Sequence, residues 1–446
     1  MSIKFILTVI PAISLLTARA QSKNDSTQPA NKKYSIHWQA TTIPQYHFNF
    51  YAPYSGKNSL LPSEPVKASV TSTLFLAYNP FKNTYLIFDP EVAGGKGFSQ
   101  TLGIAGFPNG EIYRVGNPHL QPYIARLFVE QRFPLSNRKE INENDENEIQ
   151  QSVSKDYVSV SAGKFSVTDF FDNSSVSDDP RTQFLNWALF GSGAWDYPAN
   201  TRGYNFGAVL QVFYHDWAFI YANTFEPTVA NGSNLQWKGT DAMGQVWEIE
   251  KNNILKKDNE KHNLNFRGGI FWNRADMGNY ATSIAIAKAT NTTPDITDSR
   301  EFGRAKWGFY DALELNDGAS HFSIKSSWND GKNETWAFTE IDRSYAAAYR
   351  VDGILWNRKN DGAGIAYVHN GLSSEHEQYL ADGGYGFLIG DGMLNYGSEQ
   401  IAEFYYSFGI LKKIFLSPDY QFVLHPAYNK DRGPVNIVSL RLHVAL

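Results

Sequence analysis

The stretch Tyr123-Ile124-Ala125-Arg126-Leu127-Phe128-Val129-Glu130-Gln131-Arg132-Phe133 decides how this chain folds. Tyr123, Ala125, Leu127, Val129 and Phe133 share one phase of a two-residue period, while Arg126, Glu130 and Arg132 share the other. A β-strand sends successive side chains to opposite faces, so this segment has an oily face and an ionic one. The pattern recurs along the chain, in Leu74, Leu76 and Tyr78; in Leu210, Val212 and Tyr214; in Trp217, Phe219 and Tyr221; in Phe322, Ile324 and Trp328; and in Phe404, Tyr406, Phe408 and Ile410. The final segment sets Val438, Leu440, Leu442, Val444 and Leu446 against Ser439, Arg441 and His443.

A soluble sandwich alternates as well, with its apolar side chains turned inward. Three features favour a sheet that turns them outward into lipid. The segments run about 9 to 12 residues, the length a tilted strand needs to cross the hydrocarbon layer. Aromatic residues gather near segment ends, as in Trp217 with Tyr221 and Tyr405 with Tyr406, where interfacial girdles would sit. Short connections (residues 215–216 and 315–319) alternate with long ones (93–121 and 166–202), as periplasmic turns alternate with outer loops.

Composition agrees. The 446 residues include 30 Phe, 25 Tyr and 11 Trp, with 19% charged positions and no Cys. Mean hydropathy is −0.39, and beyond residue 20 no apolar run reaches the ~18 residues of a spanning helix. A helical membrane protein is excluded, and the aromatic content excludes global disorder. Without Cys there is no thiol catalysis, no Cys-ligated cluster and no disulfide framework. Lys4, the apolar run over residues 5–16 and the small-x-small site Ala18-Arg19-Ala20 read as an export leader over residues 1–20, followed by a polar tail over 21–33 and one barrel domain over 34–446. The formal charge of −5, more negative once Lys4 and Arg19 leave with the leader, argues against nucleic acid as a partner.

Seventeen strands are expected, starting near residues 35, 69, 83, 122, 157, 203, 217, 243, 263, 304, 320, 336, 351, 363, 400, 419 and 435, with the weakest signals near 243 and 351. Bacterial single-chain barrels close with an even number. The expected fold is therefore all-β: a single transmembrane antiparallel barrel of about 16 strands, with 18 as the alternative, long inward-folded loops and short helices. One helix is expected where Asp179 caps, Pro180 starts and Gly191 stops the run through Phe184, Leu185, Trp187, Leu189 and Phe190; another follows the capping box Ser374 to Glu377 and ends before Gly383-Gly384. The charged run 138–148 (RKEINENDENE) reads as a solvated connection.

Motifs for chemistry are weak. Gly384-Tyr385-Gly386 with Gly390 has the wrong spacing and context for a phosphate loop and reads as turn chemistry. His369 and His376 are not at a ligand spacing, and Asn329-Asp330-Gly331 and residues 315–318 lack a full calcium series and read as hairpin turns. No Gly-x-Ser-x-Gly elbow is present. No enzyme, metal or cofactor is expected.

Five longer stretches carry a resemblance: FDNSSVSDDPRTQFLNWALFGSGAWDYPANTRGY (171–204), GIAGFPNGEIYRVG (103–116), WNDGKNETWAFTEIDRS (328–344), GGYGFLIGDGMLNYGSEQIAEFYY (383–406) and DYQFVLHPAYNKDRGPVNIVSLRLH (419–443). From about Gln39 to the end, with these stretches in the family's order along the chain, the sequence resembles the carbohydrate-selective outer-membrane porins of the OprB type. The resemblance implies a barrel that passes small sugars such as glucose by diffusion through a lumen narrowed by inward loops, embedded in outer-membrane lipid as a monomer or homotrimer. The chain departs from the family in ending on Leu446 rather than Phe, and in an insert over 138–151 that is longer and more acidic.

A neutral sugar is recognised by hydrogen-bonding ions and an aromatic platform, held weakly enough to leave. The expected constriction uses Glu111 as acceptor and Arg114, Arg126 and Arg181 as donors, with Trp187 or Trp195 stacking on the ring. Asp178, Asp179 and Asp196 are expected to hold the arginines, and Glu130 and Arg202 complete the set. For Asp179 and Trp187 the competing readings are capping and loop packing. Other functions remain open: a general diffusion porin, or a secreted carbohydrate-binding or hydrolytic β protein.

Overall fold

The computed structural model describes residues 31–112, 118–255 and 262–446. The expected leader over 1–20, most of the polar tail and Arg114 lie outside the described residues. The strands are β1 (Tyr34–His47), β2 (Lys67–Tyr78), β3 (Thr84–Gly95), β4 (Gln121–Pro134), β5 (Lys139–Ile141), β6 (Ser152–Ser154), β7 (Tyr157–Phe165), β8 (Asn205–Tyr214) and β9 (Trp217–Phe225). They continue with β10 (Met243–Lys251), β11 (His262–Ala275), β12 (Arg304–Asp317), β13 (Ser320–Asn329), β14 (Arg343–Asp352), β15 (Gly362–Gly371), β16 (Glu399–Leu411), β17 (Ile414–Leu424) and β18 (Val435–Ala445). β5 and β6 pair only with each other. The other sixteen form one closed antiparallel barrel, sealed where β1 pairs with β18 and leaving no free edge.

The alternation points as expected. Outward side chains such as Ile36, Leu127, Phe219, Ile270, Phe309, Ile324 and Leu440 are exposed, forming a continuous apolar belt far larger than a water-soluble surface carries. Trp217 and Tyr214 flank one rim, and Trp307, Trp328 and Tyr345 the other, in the positions of two girdles. Inward positions carry the ions, with Thr71 and Thr73 on β2, Asp89 and Glu91 on β3, Glu399 and Glu403 on β16 and Arg441 on β18 all buried, alongside apolar side chains such as Phe75, Ile87, Tyr310 and Ile401 that pack against the loops.

Several expectations need correction. Segments expected near 336 and 351 merge into the single strand β14. Residues 336–339 cannot join a ladder, because their backbone N–H groups are gathered by the Asp196 carboxylate at 2.9–3.5 Å. The chain past Asp352 turns into a short 3-10 segment, Gly353–Trp356. The strand expected near 243 is present at full length despite its weak signal.

The deciding segment is itself out of phase at one end. Asp89 pairs with Arg126 but Pro90 pairs with Ile124, so Ala125 is an extra residue in a β-bulge. Pro90 has no N–H to give the ladder, which makes this a natural place for one. The bulge turns Tyr123 from the oily face into the lumen, where its hydroxyl donates to Glu91. Ile124 takes its place outside.

The helices also differ. Helix α1 spans only Trp187–Phe190, capped by Asn186, because the amides of Leu185 and Asn186 are already bound by the Glu403 carboxylate (2.5 and 3.0 Å). Asp179 caps its own turn instead, accepting from the Arg181 backbone N–H and the Thr182 hydroxyl. Helix α2 (Tyr280–Thr290) starts at an Asn279 cap that the strand-based reading passes over, and α3 (Ser374–Ala381) is capped by Ser373, one residue ahead of the expected box. Asn329-Asp330-Gly331 opens the long 330–342 loop rather than closing a hairpin, whereas β12 and β13 do meet in a tight turn at Gly318.

The belt can be tested directly. Ile324 lies midway along β13, facing out. Ile324→Arg is expected to cost about 2–4 kcal/mol of folding free energy in lipid vesicles, and Ile324→Leu about nothing. Equal unfolding midpoints for the two variants would contradict a lipid-facing row.

Candidate functional site

Inward loops, not strand side chains, close most of the lumen. Phe107, Phe171, Phe184, Trp187, Trp195, Tyr197, Phe338, Leu388 and Ile389 pack into one buried cluster inside the barrel. Loops bring backbone N–H and C=O groups with no ladder partner into this space, and ionic side chains take them up. Glu399 accepts from the amides of Ala105, Gly106 and Ala427, and Glu403 from those of Leu185 and Asn186. Glu340 accepts from Phe387, Leu388 and Ile389. The glycine-rich stretch 383–390 is thus an anion-holding loop whose anion is the protein's own carboxylate. A Cβ on Gly386 would fall 2.1 Å from the Glu340 Oε1 atom.

Arg441, on β18, performs the converse task. Its guanidinium donates to the carbonyls of Pro180, Thr182 and Gln183. With Glu403 holding residues 185–186, the turn that carries Arg181 is fixed from both sides. Arg181 then reaches across to β2, β3 and the loop after β3. Its Nε donates to Glu111 at 2.9 Å, Nη2 to Glu91 at 3.1 Å and Nη1 to Thr73 at 3.2 Å. Thr71 donates to the same Glu111 oxygen. Burial pushes the Glu111 carboxyl above its ordinary value against the pull of Arg181.

Two cavities meet at Arg181. One of about 100 Å³ lies towards the long loops, bounded by Glu111, Tyr123, Trp187, Arg202, Tyr204 and Phe338. The other, of about 190 Å³, lies towards the short turns, bounded by Arg350, Asp352, Tyr405 and His443. Arg181 lines both.

Beside this centre, Arg126 binds Asp169 through Nε and Nη2 (2.8 and 2.5 Å) and Asp89 through Nη1 at 3.2 Å, with its guanidinium over the Tyr204 ring. Arg202 lies over the Tyr123 ring and donates to Gln121. The structure therefore brings Glu111, Arg126, Arg181 and Arg202 together. Glu130 sits further towards the turns, paired with Arg132, which lies between the Tyr85 and Tyr157 rings.

The other expected residues do different work. Trp195 is completely buried against Tyr310 and cannot stack on a solute. Trp187 stacks against Phe107 and Tyr197, so the cavity meets its edge rather than a free face. Asp196 anchors residues 336–339, and Asp179 caps its turn; among the described residues neither holds a guanidinium by a hydrogen bond. Among the described residues Asp178 makes no ion pair either, and burial pushes its carboxyl up to about 8. The carboxylates that hold the arginines are Glu91, Glu111, Asp89 and Asp169. Asp89 and Glu91 were visible in the alternation, in phase with Tyr85, Ile87 and Ala93 on the inward face of β3.

The chain was compared with known proteins. Residues 62–446 match the model of the carbohydrate-selective porin, OprB family. The chain belongs to this family. It is similar in fold to the high-pH structure of Pseudomonas putida OprB, with a TM-score of 0.68, 12% identity, and 93% of this chain and 94% of that one covered. It is also similar to the outer-membrane channel DcaP of Acinetobacter baumannii, with a TM-score of 0.51, 8% identity, and 93% and 97% covered. No curated protein sequence matches it. As an OprB-family porin, the chain is a bacterial outer-membrane channel for the diffusion of small sugars.

The anchoring of its loops can be tested at Glu403. Glu403→Ala leaves two buried amides unpaired, at about 1–3 kcal/mol each. A lower temperature for loss of the compact form on a denaturing gel is expected, with faster proteolysis within 166–204. An unchanged cleavage rate would show that Glu403 does not restrain this loop.

Proposed function

We propose that sugars cross the barrel by way of Arg181, passing from the loop-side cavity to the turn-side cavity, and that the charged cluster around it gives the channel its preference for carbohydrate. The supporting observation is that Arg181 lines both cavities and is tied to Glu91, Glu111 and Thr73. A guanidinium offers five donors and a carboxylate accepts through two oxygens, so the cluster can exchange its internal hydrogen bonds for sugar hydroxyls. Arg126 and Arg202 extend the donor row, while Phe338, Tyr204 and the edge of Trp187 give the ring an apolar wall. Because every ion already has a partner, each new bond replaces an old one and the net affinity stays low. A channel needs that, since solute must leave as readily as it enters.

The path lies within one barrel, so the reading is the same for a monomer or a homotrimer. Delivery to the outer membrane would use the leader over 1–20, with the polar tail over 21–33 left on the mature protein.

The test is a planar bilayer recording with glucose titrated in. Arg181→Ala is expected to weaken sugar block by about tenfold, the ratio equivalent to losing one charged hydrogen bond of about 1.5 kcal/mol. It should also shift the reversal potential towards cation selectivity, because Glu91 and Glu111 lose their counterion. Unchanged block would overturn the assignment. Liposome swelling with sugars and with amino acids of equal size separates a sugar-selective channel from a general diffusion pore.

A further inference from the structure

The acidic insert between β4 and β7 is expected to be a solvated connection, yet it folds back into the turn-side mouth of the barrel. Its stem is the hairpin of β5 and β6. From there the chain runs along the inward faces of β1 and β3. The Ser35 hydroxyl donates to the Asp145 carbonyl, and Asn144 Nδ2 lies 2.8 Å from a His37 ring nitrogen. Asn147 Nδ2 donates to Asp89 at 2.9 Å, and Tyr85 donates to Gln151 at 3.3 Å. Ile149 is buried with Ala77, Tyr85 and Ile87. Asp89 is also a partner of Arg126, so the tip of the insert docks on the same charged network that the outer loops reach from the other side.

This docking places Glu146 at the mouth. Gln39 on β1 is 3.5 Å from its Oε2 atom. The charged groups that act on it are Asp179 and Arg181 of the 166–204 loop, Arg126 of β4 and the adjacent Asp145. Asp89 on β3 and His37 on β1 flank the insert, and His443 on β18 lies beyond Thr41.

We infer that the insert forms a second constriction beside Arg181, on the β1–β4 side of the bore, and that Glu146 is its specificity-determining residue, admitting neutral sugars while turning back sugar acids. The inference rests on the sugar path proposed above and deepens it. A carboxylate in a narrow, low-dielectric opening repels a solute carboxylate far more than it would in open water, whereas a neutral ring meets only a hydrogen-bond acceptor. Burial, then Asp179, pushes the Glu146 carboxyl up to about 7. Its negative charge therefore grows as pH rises through neutrality, and exclusion of anions grows with it.

The experiment uses the full chain in liposomes and planar bilayers, with glucose and glucuronate as rings of similar size. Glu146→Gln is expected to raise glucuronate entry relative to glucose by about threefold or more at pH 8, and to flatten the wild-type rise in cation selectivity between pH 6 and pH 8. A second variant replaces residues 139–154 with a short Asn-Gly turn and is expected to raise single-channel conductance by about half or more. An unchanged solute ratio in Glu146→Gln overturns the role of Glu146, and an unchanged conductance in the shortened variant overturns the second constriction. Arg181→Ala is measured alongside. If it alters sugar block while both insert variants match wild type, only this inference fails; if it too matches wild type, the sugar path itself is wrong.

Discussion

The structure depends on how a barrel accommodates irregular backbone inside its bore. A strand in the wall satisfies its amides through its neighbours, but a loop folded inward brings N–H groups that neither a ladder nor lipid can meet. Here carboxyl side chains meet them in groups: three amides on Glu399, two on Glu403, three on Glu340 and a run of four on Asp196. Arg441 collects carbonyls in the same way. A buried side chain that satisfies several backbone groups at once repays its own desolvation better than one that meets a single partner.

That anchoring explains why so few of the charged residues are free to act on a solute. Asp196, Glu340, Glu399 and Glu403 serve the fold, and their burial is structural. At the meeting of the two cavities the partners are side chains: Arg181 pairs with Glu91 and Glu111, Arg126 with Asp89 and Asp169, and Arg202 with Gln121 and the Tyr123 ring. The division between the two groups is one between side chains that hold loop backbone and side chains that hold one another's charges across the bore.

Much of the barrel was legible in the sequence because lipid outside and polar groups inside impose a strict two-residue period. The outward rows on β2, β8, β9, β13, β16 and β18 follow it, and so does the final row ending on Leu446. It failed where backbone chemistry overrides the period. The bulge opposite Pro90 reversed Tyr123, and the Asp196 clamp removed a strand that residues 336–342 otherwise suggest. The candidate site was legible only in part. Arg126, Arg181, Arg202 and Glu111 carried the signal of polar residues in inward segments, but their partners Glu91 and Asp169 lie far away in sequence.

By itself, the sequence determined the run of alternating strands and the oily and ionic face of most of them, since alternation is local; the closure of the sheet through β1 and β18 was set by pairing across the whole chain. The pairing of Arg181 with β2 and β3, the burial of Trp195, and the return of the acidic insert into the mouth were decided only by tertiary structure. Each depends on which carboxylate lies opposite which loop across the bore, a distance in space that separation along the chain does not encode.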